Sequence, residues 1–302
     1  MWTSSSLRTV GGAIAAALIA VACRGSTVQA TGPCGAITPA PATYDHIIWV
    51  WMENHTSQQV LGTADAPYEN KLAAQCAHAA DYASVGTPSL PNYLGATSGD
   101  TWGVVDDRPP SDHVLTADNI FRQVRSGGRR ALSYEEAMPE PCALQGIGTY
   151  AVKHNPAAYY QGADDREACR RDDLPLGSRA QPSFAAALAD GTLPAFSFVT
   201  PDLCHDTHDC AVRVGDQWLQ GFLEAILSSA TYRQGRTAVF VVWDEDIPMP
   251  FLAIAPSIAV GTVATAHVDH YALLRTTEEM LGLSTFLGHA AAAPSMRNTL
   301  RV

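Results

Sequence analysis

His46-Ile47-Ile48-Trp49-Val50-Trp51-Met52 is an apolar run that ends abruptly on Glu53 and Asn54. Two later runs share the form: Phe196-Ser197-Phe198-Val199-Thr200 stops at Pro201 and Asp202, and Thr237-Ala238-Val239-Phe240-Val241-Val242-Trp243 stops at Asp244 and Glu245. Short β-branched and aromatic runs without polar alternation are what a strand covered on both faces requires. In an open α/β sheet the ligand crevice lies just beyond the carboxyl ends of such strands. The expected fold is therefore a three-layer α/β/α sandwich with a mostly parallel central sheet, with Glu53, Asn54, Asp244 and Glu245 gathered on one edge.

Carboxylates packed that closely repel one another by several kcal/mol, roughly, unless a cation sits among them. Taken singly, Glu53 and Asp244 could each cap a following helix or pair with an arginine. Two strand ends carrying Glu-Asn and Asp-Glu point instead to a divalent metal ion with Glu53, Asn54, Asp244 and Glu245 as ligands. Oxygen donors suit Ca²⁺, Mg²⁺ or Mn²⁺, and Zn²⁺ also takes carboxylates, so the donor types leave the metal's identity open.

Thr87-Pro88-Ser89-Leu90-Pro91-Asn92-Tyr93 follows a further apolar stretch, Ala79 to Val85. A serine on a turn leading into a helix has its hydroxyl near free backbone amides and the positive end of the helix dipole. That favours an anionic oxygen and an anionic substrate, so Ser89 is a candidate nucleophile; a plain N-cap in a proline-rich turn is the competing reading. A nearby metal favours the nucleophile, because a cation lowers the pKa of an alcohol.

These segments, with Glu53-Asn54-His55-Thr56, Ala66-Pro67-Tyr68, Lys153-His154-Asn155-Pro156, Asp206-Thr207-His208-Asp209, Gly215-Asp216, Trp243-Asp244-Glu245 and His270-Tyr271, give a chain that resembles the phosphoesterase family. That family groups bacterial acid phosphatases with phospholipases C, belongs to the alkaline phosphatase superfamily and includes enzymes acting on phosphoinositides. The resemblance runs in order from about Asp45 to about Leu283. It implies an alkaline phosphatase-like fold with Ser89 as nucleophile and His154, His208 and His270 as catalytic histidines facing the phosphate or the leaving group. Asn54, His208 and Asn92 are read as binding the phosphate. Two positions depart from the family: Thr87 stands where several relatives have His, and Asp246 runs directly into Ile247-Pro248-Met249-Pro250 where many have a polar, glycine-containing loop. A more open rim is expected on that side.

The implied activity is that of an exported, metal-dependent phosphoric ester hydrolase, an acid phosphatase working through a phosphoserine intermediate on a small phosphorylated substrate or a phosphoinositide. A phospholipase C-type phosphodiesterase is the alternative on the same scaffold. A non-catalytic surface lipoprotein that binds a phosphate or a glycan is the alternative from another class. A lipid diesterase needs an apolar groove beside the site, and Asp106 to Ser183, where one is sought first, is mostly polar. That segment reads as loops and small helices over the site. Surface helices are predicted over 118–126, 183–189, 217–228 and 271–281, where apolar residues recur at helical spacing.

A net charge of −11 with only 19 Lys and Arg, and no basic stripe with interleaved aromatics, argues against nucleic acid as a partner. Arg8 followed by the small and apolar run Val10 to Ala22 reads as an export signal. Residues 1–30 are thus expected to be a signal peptide, ending at Val28-Gln29-Ala30 or before a lipidated Cys23, with 31–302 as one phosphoesterase domain. The product is secreted or held at the cell surface, with membrane contact only through an anchor at Cys23. Seven cysteines less Cys23 leave six, enough for three disulfides. Cys204 with Cys210 closes a short loop around His208; Cys142 with Cys169 and Cys34 with Cys76 are then left by elimination.

Overall fold

A computed structural model describes residues 1–5, 32–177 and 183–302. The expected export signal from Arg8 to Ala30, with Cys23, lies outside the described residues. Among the described residues ten strands form, in chain order β1 His46–Met52, β2 Ala77–Ala79, β3 Tyr82–Ala83, β4 Ala131–Glu135, β5 Asp173–Pro175, β6 Phe196–Thr200, β7 Thr237–Trp243, β8 Phe251–Ile254, β9 Thr262–Ala264 and β10 Val268–Asp269. Eight of them make one sheet in the order β5-β4-β6-β1-β7-β8-β2-β9, and β10 pairs with β3 apart from it. Only β8 runs antiparallel to its neighbours.

The three runs that end on polar residues lie side by side at the centre. β1 pairs in parallel with β6 on one flank and β7 on the other. β7 is buried along its whole length. Alternate residues of β1 face opposite layers. On one face the Trp49 indole donates to Thr277 Oγ1 of the helix His270–Met280 at 3.1 Å. On the same face Trp51 packs against Tyr93 of the helix Ser89–Ser98, ring centroids 4.7 Å apart. On the other face Met52 lies beneath Gly215 of the helix Val212–Leu227. Helix, sheet, helix is the three-layer arrangement the apolar runs call for.

The helix predicted over 271–281 forms over His270–Met280, and that over 217–228 starts a turn and more earlier, at Val212. The reading of Asp106 to Ser183 as loops and small helices needs correction. The segment also supplies β4, parallel to β6, and the edge strand β5. Ala131-Leu132-Ser133-Tyr134-Glu135 is short and two of its residues are polar, yet all five are buried. The three expected disulfides form: Cys34–Cys76, Cys142–Cys169 and Cys204–Cys210.

Candidate active site

The registry of β1 and β7 builds the site. Met52 pairs with Trp243, the last residues of their strands, so the next residues, Glu53 and Asp244, emerge side by side. Both are fully buried. Asn54 follows with φ 48°, a left-handed backbone that asparagine tolerates better than most residues. Its backbone N–H reaches Asp244 Oδ1 at 3.4 Å.

Ser89 arrives from the helix Ser89–Ser98 and donates its hydroxyl to Glu53 Oε2 at 3.2 Å. It is the first helical residue; the cap position belongs to Pro88, so the plain N-cap reading does not hold. Two partners fix the turn. Asp107 Oδ1 accepts the Leu90 N–H at 3.0 Å. Asn92 Oδ1 accepts from Val85 N and Gly86 N, while its amide donates to Gly86 O and Pro88 O. With all four interactions spent on the turn and no exposed surface, Asn92 shapes the loop that presents Ser89. The helix ends at Gly99, φ 80°, where a Cβ would stand 2.3 Å from Leu287 O, so only glycine fits.

The histidines divide. His154 is buried in the cluster, with Nε2 3.2 Å from Glu53 Oε1 and Nδ1 3.3 Å from Asp206 Oδ2. Neither approach is aligned as a hydrogen bond, since His154 Nε2 and Asp206 Oδ2 both lack a partner. The Tyr93 ring lies flat on the His154 imidazole, centroids 5.3 Å apart. Burial, then the charges of Lys153 and His208, lower the His154 pKa well below the usual range. His208 stands at the mouth with 28% of its side chain exposed and Nδ1 held 2.7 Å from Asp209 Oδ1. His270 is different. It is fully buried, with Nε2 on Asp244 O at 2.9 Å and Nδ1 on Tyr82 OH at 3.0 Å. Both ring nitrogens are occupied behind the cluster, so His270 braces Asp244 rather than facing a phosphate. Burial drives its pKa down to about 4.

Glu245 also departs from its expected place. Its carboxylate turns to the rim, where Thr87 Oγ1 donates to it at 3.2 Å. Beyond it, Ile247 is 61% exposed.

The sequence reading missed several residues. Asp206 is fully buried; its backbone carbonyl accepts Glu53 N at 2.8 Å, and its Oδ1 accepts His208 N at 2.7 Å. Thr207, at φ 78°, is a strained position for a β-branched residue, held by its hydroxyl on Glu53 O at 2.9 Å. Tyr93 OH donates to Glu53 Oε1 at 2.5 Å. Lys153 sits 3.1 Å from Asp107 Oδ2. Tyr93, Lys153, Asp206 and Thr207 lie inside the quoted motifs, whose spacing is the signal that marks them; Asp107 lies in none. The paired motifs Ala66-Pro67-Tyr68 and Gly215-Asp216 have a structural use, because Asp216 Oδ1 accepts the Tyr68 and Glu69 N–H groups and caps the helix Pro67–Gln75.

Electrostatically the cluster wants a positive charge. Burial, followed by the charges of Asp244 and Asp206, raises the Glu53 pKa well above the carboxylate range. Burial raises Asp206 to about 7; burial, then the charge of Glu245, does the same for Asp244. Asp244 Oδ2 is buried without a partner. The Asn54 amide is ambiguous in a telling way. With its nitrogen inward it donates to Glu53 Oε2 at 2.6 Å and Asp244 Oδ1 at 3.0 Å. With its oxygen inward, three oxygens converge beside the Ser89 hydroxyl, an arrangement that a bound cation satisfies, as does a proton on one of the carboxyls. The donor set therefore fits a hard divalent ion. A second group, Glu136, Asp202 and His205, brings ligand atoms within 4.8 Å of one another. Its oxygens are already used: His205 Nδ1, Asp202 N and Trp218 Nε1 contact the Glu136 carboxylate, and Asp202 Oδ1 accepts Cys204 N and His205 N. That group holds the Cys204–Cys210 loop.

The chain is 28% identical over 289 residues to a phosphatidylinositol-3-phosphatase of Mycobacterium tuberculosis, covering 94% of this chain and 90% of that protein. It is 26% identical over 215 residues to an acid phosphatase of Aspergillus fumigatus, covering 67% of this chain and 45% of the fungal one. Among solved structures, an alkaline phosphatase superfamily protein of Vibrio parahaemolyticus superposes with a TM-score of 0.57 at 14% identity, over 90% of this chain and 78% of that one. The lipoteichoic acid synthase LtaP of Listeria monocytogenes does so with a TM-score of 0.55 at 11% identity, over 81% and 73%. The model of the Phosphoesterase family matches residues 49–248, a span that begins inside β1 and closes just past Asp244 and Glu245. The chain belongs to the phosphoesterase family, hydrolases that act on phosphoric ester bonds.

Proposed function

We propose that this protein is an exported, metal-dependent phosphomonoesterase of the acid phosphatase type that works through a phosphoserine at Ser89. The observation that carries the reading is the convergence of the Ser89 hydroxyl on Glu53 Oε2 beside the buried, unpartnered Asp244 Oδ2. Glu53, Asn54 and Asp244 would hold the cation, which when bound supplies positive charge that acidifies the serine hydroxyl and offsets the charge of the phosphate.

In this reading Ser89 Oγ attacks phosphorus in line with the leaving oxygen, and its proton departs along the existing contact to Glu53 Oε2. The P–O bond to the leaving alcohol breaks. His208, steadied by Asp209, is placed at the mouth to return a proton to that oxygen. Water then hydrolyses the phosphoserine, releasing phosphate and restoring Ser89. His270 keeps Asp244 in place from behind. Small phosphate esters or a phosphoinositide are the proposed substrates. Residues 1–30 are proposed as the export leader and 31–302 as the phosphoesterase domain. Three disulfides support an oxidising compartment, and among the described residues no helix is long and apolar enough to cross a membrane.

Release of phosphate from p-nitrophenyl phosphate, abolished by a chelator and restored by a divalent cation, is the expected result. Turnover indifferent to chelation would remove the metal from the reading. The diesterase is the second reading: a groove of about 1030 Å³, lined by Leu176, Phe184, Leu188, Trp218 and Phe222, reaches Glu136 but takes none of Glu53, Ser89, His208 or Asp244 into its wall. It lies between the helices Phe184–Ala189 and Val212–Leu227, and the segment Asp106 to Ser183 contributes Glu136, Leu176 and Gly177 to its wall. A higher kcat/KM for p-nitrophenylphosphorylcholine than for p-nitrophenyl phosphate would decide for it.

A further inference from the structure

The site holds too much negative charge for a phosphate dianion. Glu53, Asp206 and Asp244 are buried within it, and Glu245 and Asp107 stand at its rim. A divalent ion offsets some of that charge, and a second cation where substrate enters would add to the attraction for a dianionic ester. Among the described residues, no arginine forms a salt bridge to Glu53, Asp206, Asp244 or Glu245. One lysine is in position.

Lys153 lies on the short turn Val152–His154, directly before the buried His154. Its side chain is 22% exposed, so the ammonium is in the wall of the mouth rather than free in solvent. It contacts Asp107 Oδ2 at 3.1 Å, and the other oxygen of the same carboxylate accepts Leu90 N. One carboxylate thus ties the lysine to the residue next to Ser89. Burial alone would lower the Lys153 pKa, but the charges of Asp107, Glu53 and Asp244 outweigh it and hold the amine protonated.

We propose that Lys153 is a phosphate-binding residue, its ammonium taking a non-bridging oxygen of the substrate while Asp107 holds it beside the turn that carries Ser89. This rests on the phosphatase reading above and adds the cation that reading lacks. An ammonium has three donors, so it keeps Asp107 and accepts substrate at once. A dianionic monoester gains more from it than a monoanionic diester does, which makes Lys153 a specificity element as well.

The test measures inorganic phosphate binding by calorimetry to the metal-loaded Ser89→Ala protein, where no turnover intervenes, with and without Lys153→Met. Loss of one charge-assisted hydrogen bond should raise the phosphate Kd roughly 10- to 100-fold. With Ser89 intact, Lys153→Met should lower kcat/KM for p-nitrophenyl phosphate by more than for a p-nitrophenyl diester, and Lys153→Arg should recover part of both losses. Lys153→Gln serves where the methionine variant does not fold. An unchanged Kd, or equal losses on monoester and diester, overturns the proposal and leaves the phosphatase reading standing. A wild-type protein that neither binds phosphate nor hydrolyses the monoester overturns both.

Discussion

The Tyr93 phenol donates to Glu53 Oε1 at 2.5 Å while its ring covers the His154 imidazole. One side chain thereby fixes two groups of the cluster from opposite sides, by hydrogen bonding and by stacking. Tyr93→Phe keeps the stack and removes only the donor. We expect kcat/KM to fall about tenfold, the worth of one hydrogen bond to a charged group, with thermal stability changed by no more than a few degrees. A variant with full activity would show that Glu53 needs no help from Tyr93.

Ser89→Ala is expected to reduce turnover by several orders of magnitude, roughly, because a covalent route loses its nucleophile entirely. The folded state should survive, since alanine keeps the backbone of the helix start and gives up only the serine hydroxyl's bonding to the carboxyl cluster. Rapid quench with a ³²P-labelled monoester should trap label on the wild type and none on the variant. Activity within about tenfold of wild type would mean that water attacks directly.

The acidic cluster makes a statement about stability against pH. Asp244 has its pKa raised from the ordinary 3.8 to about 7, as does Asp206, each chiefly by burial. A carboxyl group with a raised folded-state pKa stabilises the fold while protonated, and that contribution is lost as pH rises from about 4 through about 7. The chelated protein should therefore lose Tm as pH climbs across that window. Added divalent metal should restore it, with a Tm gain that grows with pH. A gain independent of pH would place the ion elsewhere.

Gly215 packs beneath the loop that bears His208; a Cβ there would lie 2.3 Å from Thr207 Cγ2 and 2.9 Å from His205 O. Gly215→Ala must push Thr207 off Glu53 or move the helix. We expect about 1–3 kcal/mol of destabilisation, together with a drop in kcat larger than the change in KM. A fully active Gly215→Ala protein would show the loop is more compliant than its contacts imply.

Much of this architecture can be seen in the chain before folding. β1, β6 and β7 are legible because strands covered on both faces have no polar positions to interrupt them, and Glu53 and Asp244 are legible because they break that pattern. β4 and β5 are not, since Ser133, Glu135 and Asp173 are buried polar residues that interrupt the apolar pattern; Ser133 donates to Glu135 within the strand, and Asp173 accepts from Asn155. Asn92 and Ser89 share one motif, yet chemistry alone does not tell which faces the pocket and which holds the turn. Asp107 gives no local signal at all, because its role arises only once its loop meets the start of the Ser89 helix.

Met52 and Trp243 sit opposite one another as the final pair of two neighbouring strands. The spacing of Glu53 and Asp244 is thus set by the hydrogen-bond ladder of the sheet, not by any loop. A slip of one residue between β1 and β7 would send one of these carboxylates to the opposite face and erase the centre in a single step. Conversely, the segments that arch above the edge can be lengthened, shortened or exchanged while the pair keeps its separation. A scaffold of this kind is a natural chassis for variation, in which leaving-group preference can drift through the rim while the phosphorus-facing chemistry stays anchored in the least deformable part of the molecule.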